Sequence, residues 1–193
     1  MKLFLIIVGL IGLVFLIIQL VASRGQKGIE KYPFQVIEEY NDFEVRDYEA
    51  TLFTSVKLET KGYRKSSGKG FSILAGYIFG GNETNEKIAM TSPVSMSLED
   101  SMTMMFMVPK KFDKESLPKP NSSNIDFVEA PAKRMAAISF GGWADDVKIA
   151  KYKKALKSAL DKEGITYSNK FYYFGYNAPY ELINRKNEIL VEI

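Results

Sequence analysis

Six of the eight methionines, Met90, Met96, Met102, Met104, Met105 and Met107, crowd into one short stretch of the chain. Thioethers suit Cu(I) and can also coordinate iron, so the cluster has potential chemistry. On an extended strand, however, Met102, Met104 and Phe106 face one way and Met105 and Met107 the other. No single face gathers them, so the spacing predicts adaptable core filling, with a soft groove wall and then a metal site as the lesser readings. Two carboxylate pairs, Glu38-Glu39 and Asp145-Asp146, are neighbours along the chain and do not converge on one substrate; the second pair is accounted for as a helix cap. The sequence contains no His and no Cys. That removes disulfides, thiol nucleophiles, Ser-His-Asp triads and His/Cys zinc sites together. Carboxylate, Lys, Tyr and Ser/Thr chemistry remains, and no nucleophile and base pair off within it, so a protein without catalytic activity is expected.

The elements that must position these residues follow from periodicity. Val36 to Glu39 and Glu44 to Tyr48 read as a hairpin about Tyr40-Asn41-Asp42, and Ala50 to Leu58 continues as a third strand. From Gly68 to Phe79, Phe71, Leu74, Ala75 and Ile78 fall at helical spacing, and Gly80-Gly81 closes the element. Its internal glycines make this helix weak by propensity, so it must owe its existence to packing. Pro93 to Ser97 and Met102 to Val108 are two further strands. The second half repeats the order, with strands at Ile125 to Glu129 and Arg134 to Phe140. A strong helix then runs from Asp145 or Asp146 to Glu163, capped by Gly164, before strands at Lys170 to Gly175 and Glu188 to Ile193. Ala50 over Ala136 and Pro93 over Pro179 share an offset of 86 residues. The fold class expected is therefore α+β: a duplicated ββαββ pseudo-repeat forming a distorted antiparallel β-barrel flanked by two helices.

The chain carries 46% hydrophobic, 13% aromatic and 25% charged residues, a globular balance. Net charge is +3 with the basic residues dispersed, so no nucleic-acid partner is expected. Leu3 to Ala22 is an apolar run interrupted only by Gln19, long enough as a helix to span roughly 30 Å of hydrocarbon. It exceeds the h-region of a cleaved signal peptide, the competing reading, so the expectation is an N-terminal transmembrane helix acting as a signal-anchor. This gives an anchor at 1–23, a linker at 24–31 and a folded domain at 32–193, with single-pass membrane localisation and lipid-bilayer contact through residues 3–22. Lys2 on one side and Arg24, Lys27 and Lys31 on the other leave the side of the domain open. The lysines of the second helix, Lys148, Lys151, Lys154, Lys157 and Lys162, read as a solvated face, with anionic lipid as the lesser reading.

Several blocks in order resemble the SOUL/haem-binding protein family. Tyr77-Ile78-Phe79-Gly80-Gly81-Asn82 followed by Lys87-Ile88-Ala89-Met90-Thr91-Ser92-Pro93-Val94 is similar to its signature. Tyr32-Pro33-Phe34-Gln35-Val36, Phe43 to Tyr48, Phe140-Gly141-Gly142 and Arg185-Lys186-Asn187-Glu188 fit the same family. The resemblance implies haem or porphyrin, bound non-covalently in an apolar groove beside the first helix. Phe71, Leu74, Ala75 and Ile78 would line it, with Tyr77 at its edge. Lys69, with Arg64 and Lys65, would be the nearest cation for a propionate. The same helical face could instead simply pack on the sheet. Without His there is no imidazole for the iron, leaving Met, Tyr or Lys, with Tyr77 and Met90 as the candidates. The function implied is a membrane-anchored, non-catalytic tetrapyrrole carrier or buffer; the alternative is a protein- or small-molecule-interaction module in which haem binding is incidental.

Overall fold

From residue 34 onward the alternating runs fold as nine antiparallel strands and two helices, with further helical residues among 4–14, in a computed structural model that describes residues 1, 4, 6, 7, 9, 10, 12–14, 28–59, 62–99, 101–178 and 181–193. In chain order these are β1 (Phe34–Glu39), β2 (Glu44–Tyr48), β3 (Thr51–Leu58), α1 (Tyr63–Ile78), β4 (Val94–Ser97), β5 (Met102–Met107), β6 (Ile125–Ala130), β7 (Lys133–Gly141), α2 (Asp146–Glu163), β8 (Phe171–Gly175) and β9 (Lys186–Glu192). The strands form one sheet, ordered β1-β2-β7-β9-β8-β4-β5-β3-β6. Its symmetry is that of the expected duplication: β2-β7-β9-β8 mirrors β6-β3-β5-β4, so each ββαββ half lends its first strand to the other. The sheet curls as an open half-barrel, the barrel-like form of the expected distorted barrel, and among the described residues no pairing joins β1 to β6. The extra strand β1 occupies one edge and is exposed along its length.

The expected membrane-spanning helix is corrected. Among the described residues no helix is long and apolar enough to cross a membrane, which overturns the expected single-pass localisation. Much of the run at 3–22 lies outside the described residues, as do Arg24 and Lys27 of the expected linker and Pro179 of the offset pair. The end of that linker belongs to the fold, since Ser92 N donates to Glu30 O and Tyr32 N to Ser92 O, both at 2.9 Å.

Both helices lie on one face of the sheet, α1 over β3 and β5 and α2 over β7 and β9. Leu74, Tyr77 and Ile78 of α1 and Leu156 and Leu160 of α2 meet Val56, Met104 and Ile189 there in the main core. The opposite face carries a second cluster that includes Tyr32, Tyr48, Phe53, Phe174 and Leu190. The methionines divide as the alternation requires, Met102 and Met104 towards the helices and Met105 and Met107 away from them. Beside the second cluster Arg46 donates to both oxygens of Glu188, at 3.0 and 2.9 Å, and neither side chain is more than 3% exposed. Ser139 and Tyr176 also donate to Glu188, at 2.9 and 2.5 Å. Burial opposes ionisation of Glu188, but the hydrogen bonds and charge of Arg46 outweigh it and hold the carboxyl at about 2.

Candidate ligand-binding cleft

Helix α1 begins five residues before the expected Gly68, and its start is held from outside. Gly62, at φ 96°, offers no side-chain cap. Instead the Asp146 carboxylate, in the first turn of α2, accepts from Tyr63 N at 2.5 Å and Arg64 N at 3.3 Å. The extra turn brings Tyr63 and Ser67 into line with Phe71 on one face. Gly70 points at the sheet, where a Cβ would lie 3.0 Å from Leu58 Cδ1 and 3.2 Å from Met104 Cβ, so glycine sets how closely helix and sheet approach. Gly68 and Gly76 point the other way, and a Cβ on either meets nothing within 4 Å.

That bare side of α1 forms one wall of a cleft of about 330 Å³. Ser67, Gly68, Phe71 and Ser72 supply the wall; Met96 and Met104 lie on the sheet side; Tyr173, Trp143 and Arg185 lie across from the helix. Phe71 meets Phe106 edge-on at 5.4 Å between centroids, and Tyr63 meets Tyr173 likewise at 4.8 Å. The far wall is built by the motif blocks themselves. Asn187 donates to Gly142 O at 2.8 Å and Phe140 O at 3.4 Å, while its own oxygen accepts from Tyr173 OH at 2.6 Å. One side chain thus ties β8 and β9 to the Gly141-Gly142 turn and fixes the approach of Trp143. The Arg185 guanidinium stands 4.0 Å from the Trp143 ring centroid and donates to Ala178 O at 3.0 Å and Glu181 O at 2.5 Å. Its Nε is buried with no partner among the described residues.

Of the residues expected at the site, Phe71 alone lines this cleft. Leu74, Ala75 and Ile78 are at most 7% exposed and pack on the sheet. A ligand could reach them only by opening the core. Tyr77 is buried and donates to Pro118 O at 2.9 Å, Met90 is packed against the main core away from the cleft, and Lys69 is exposed on α1. The Gly-Gly-Asn block is architectural: Asn82 bonds Tyr77 O at 3.1 Å and Glu86 O at 2.8 Å, securing the turn after α1. Sequence reasoning missed Trp143, Tyr173 and the small face of α1. The signal available in the sequence was its lone Trp directly after Gly141-Gly142.

The cleft can take a flat apolar body between a side-chain-poor helix wall and aromatic rings, with a cation at one end. Burial, with Tyr63 beside it, pushes the Tyr173 hydroxyl well above its ordinary pKa, so it remains a neutral donor. Comparison with known proteins agrees with the motif blocks. Residues 29–192 match the family model described as SOUL heme-binding protein. Heme-binding protein 2 of Homo sapiens is 31% identical over 159 residues, 76% of each chain, and that of Mus musculus 28% over 169 residues, 82% of each. Heme-binding protein 1 of Mus musculus is 25% identical over 174 residues, 83% of this chain and 91% of that protein. The crystal structure of the EcmrR C-terminal domain is similar in fold, with a TM-score of 0.61 at 13% identity over 82% of this chain and 96% of that one. With motif blocks, family-model match and matched length in agreement, the chain belongs to the SOUL heme-binding protein family.

Proposed function

We propose that this protein binds haem or metal-free porphyrin non-covalently in the cleft beside α1 and serves as a tetrapyrrole carrier or buffer without catalysing a reaction. The observation that carries the reading is the pairing of a bare helix wall at Gly68 and Ser72 with Phe71 and Trp143 and with the Arg185 cation. A macrocycle needs a flat slot, and its propionates need a cation, because an unpaired carboxylate is costly to desolvate. The volume lies at the lower end of the ~300–1,000 Å³ typical of ligand pockets, so a bound ring would keep one edge in solvent. The relatives named for haem binding support the choice of ligand.

When bound, haem supplies an iron centre with redox and ligand-binding capacity, and the question for the protein is what holds the ring. Among the cleft residues only thioethers and phenols could reach a metal. Met96 and Met104 are at most 2% exposed, Tyr173 donates its hydroxyl to Asn187 Oδ1 at 2.6 Å, and Tyr63 donates to the Tyr173 oxygen at 3.4 Å. The grip is therefore on the faces of the macrocycle. Hemin and metal-free protoporphyrin should bind with affinities within about tenfold, or ~1.4 kcal/mol, in titrations followed by Soret absorbance and porphyrin emission. A porphyrin affinity hundreds of times weaker than that for hemin would mean that iron ligation dominates, and would overturn the reading.

A further inference from the structure

The doubling of the fold produces a second cleft where the symmetry repeats the first. It lies against α2 and encloses about 630 Å³; Leu98, Met102 and Phe171 supply apolar walls, and Lys153, Lys157 and Lys170 supply charge. The helix wall of the first cleft is Ser67, Gly68, Phe71 and Ser72, and that of the second is Lys153 and Lys157. The same helical face is small and aromatic in one half and cationic in the other.

Lys153 and Lys157 are one turn apart, so their charges repel. Among the described residues neither has an ion-pair partner: the Lys153 ammonium stands 4.3 Å from the Phe171 ring centroid, and that of Lys157 5.9 Å from the Tyr167 ring centroid. Lys170, on the opposite wall, is engaged with Glu192 at 3.5 Å, and Glu99 stands on the cleft wall as the opposing charge. Burial first, and then the charge of Lys157, lowers the pKa of Lys153. A half-buried ammonium beside a like charge, with no carboxylate at ion-pair distance among the described residues, is a place where a bound anion would relieve an existing cost.

We propose that this second cleft binds a small amphipathic phosphate monoester, its head between Lys153 and Lys157 and its apolar body on Leu98, Met102 and Phe171. The proposal stands apart from tetrapyrrole binding in the first cleft. It is tested by titrating the full chain with 1-naphthyl phosphate, inorganic phosphate and 1-naphthol, using calorimetry and the ¹³Cε shift of Lys153. The aryl phosphate should bind at least about tenfold more tightly than either fragment, and binding should raise the Lys153 pKa. Lys153→Gln and Lys157→Gln should each weaken it at least about fivefold, with protoporphyrin affinity unchanged and no competition between the two ligands. If Lys153→Gln lowers Tm, Lys157→Gln, at an exposed position, carries the test alone. Failure of the aryl phosphate to bind at millimolar concentration, equal binding by the Lys157→Gln variant, or displacement by protoporphyrin would overturn the proposal.

Discussion

Two substitutions on α1, two residues apart, should separate the helix's packing face from its binding face. Leu74 is fully buried between α1 and the sheet. Leu74→Ala should cost ~2–5 kcal/mol through lost burial and a cavity that the close approach at Gly70 leaves little room to collapse. For a chain of this length ~3 kcal/mol lowers Tm by about 6–12 °C. The helix has little propensity to spare, because Gly68, Gly70 and Gly76 each cost ~0.5–1 kcal/mol relative to Ala. Ser72 is exposed on the cleft wall, one turn from Gly68 and from Gly76, where an added Cβ meets nothing. Ser72→Trp should therefore change stability by only a few tenths of a kcal/mol, while its indole fills the slot and weakens protoporphyrin at least about tenfold. Ala75→Trp would not serve, since Ala75 is 7% exposed and the ring would overpack the core by ~1–3 kcal/mol. Thermal melts and porphyrin titrations on Leu74→Ala and Ser72→Trp, made well below the lower Tm, decide the matter. A stable Ser72→Trp protein with normal porphyrin affinity, or a Leu74→Ala protein that melts normally and loses the ligand, would refute the assignment of faces.

Glu188→Gln leaves Arg46 with Glu44, at 2.7 Å, as its remaining carboxylate and should cost ~1–3 kcal/mol in urea unfolding at neutral pH. Because the native carboxyl titrates at about 2 and the unfolded one near 4.5, its contribution is fully present above 4.5 and is lost as pH falls through about 2. The stability gap between wild type and variant should narrow across that window; a constant gap would count against the pairing. Asp146→Ala removes the cap that α2 lends to α1 and should cost ~0.5–2 kcal/mol, with faster hydrogen exchange at residues 63–67. Asp145→Ala, which removes α2's own cap at Lys148 N, should leave that exchange unchanged. Arg185→Gln should weaken protoporphyrin about tenfold but leave its dimethyl ester unaffected, and an equal loss for both would deny the guanidinium a role with propionates.

The strands of the folded domain and its two helices were legible because alternation and helical spacing recur in both halves, although the equivalent strands start 77 to 84 residues apart rather than 86. What the offset could not carry was loop length. In the first half the long connection follows α1, at 79–93, whereas in the second it lies between β8 and β9, at 176–185, and it is this segment that brings Asn177 and Arg185 to the cleft. The start of α1 was missed because its cap comes from Asp146, far along the chain, and local sequence holds no sign of it. The site was half legible. Apolar spacing found the buried stripe of Leu74 and Ile78, but a binding wall made of Gly68 and Ser72 has no hydrophobic period to detect. The motif blocks at Asn82 and Asn187 stood out in the sequence because they tie loops together, and only the second of them serves the cleft.

The central claim is that the macrocycle lies on the bare face of α1, and ring-current shifts report that position directly. In ¹H–¹⁵N spectra of the protein titrated with metal-free protoporphyrin, the largest saturable shifts should fall on the amides of Ser67, Gly68, Phe71 and Ser72 and on the Trp143 indole. Saturable shifts centred on Lys153, Lys157 and Phe171, with residues 67–72 unmoved, would contradict the account.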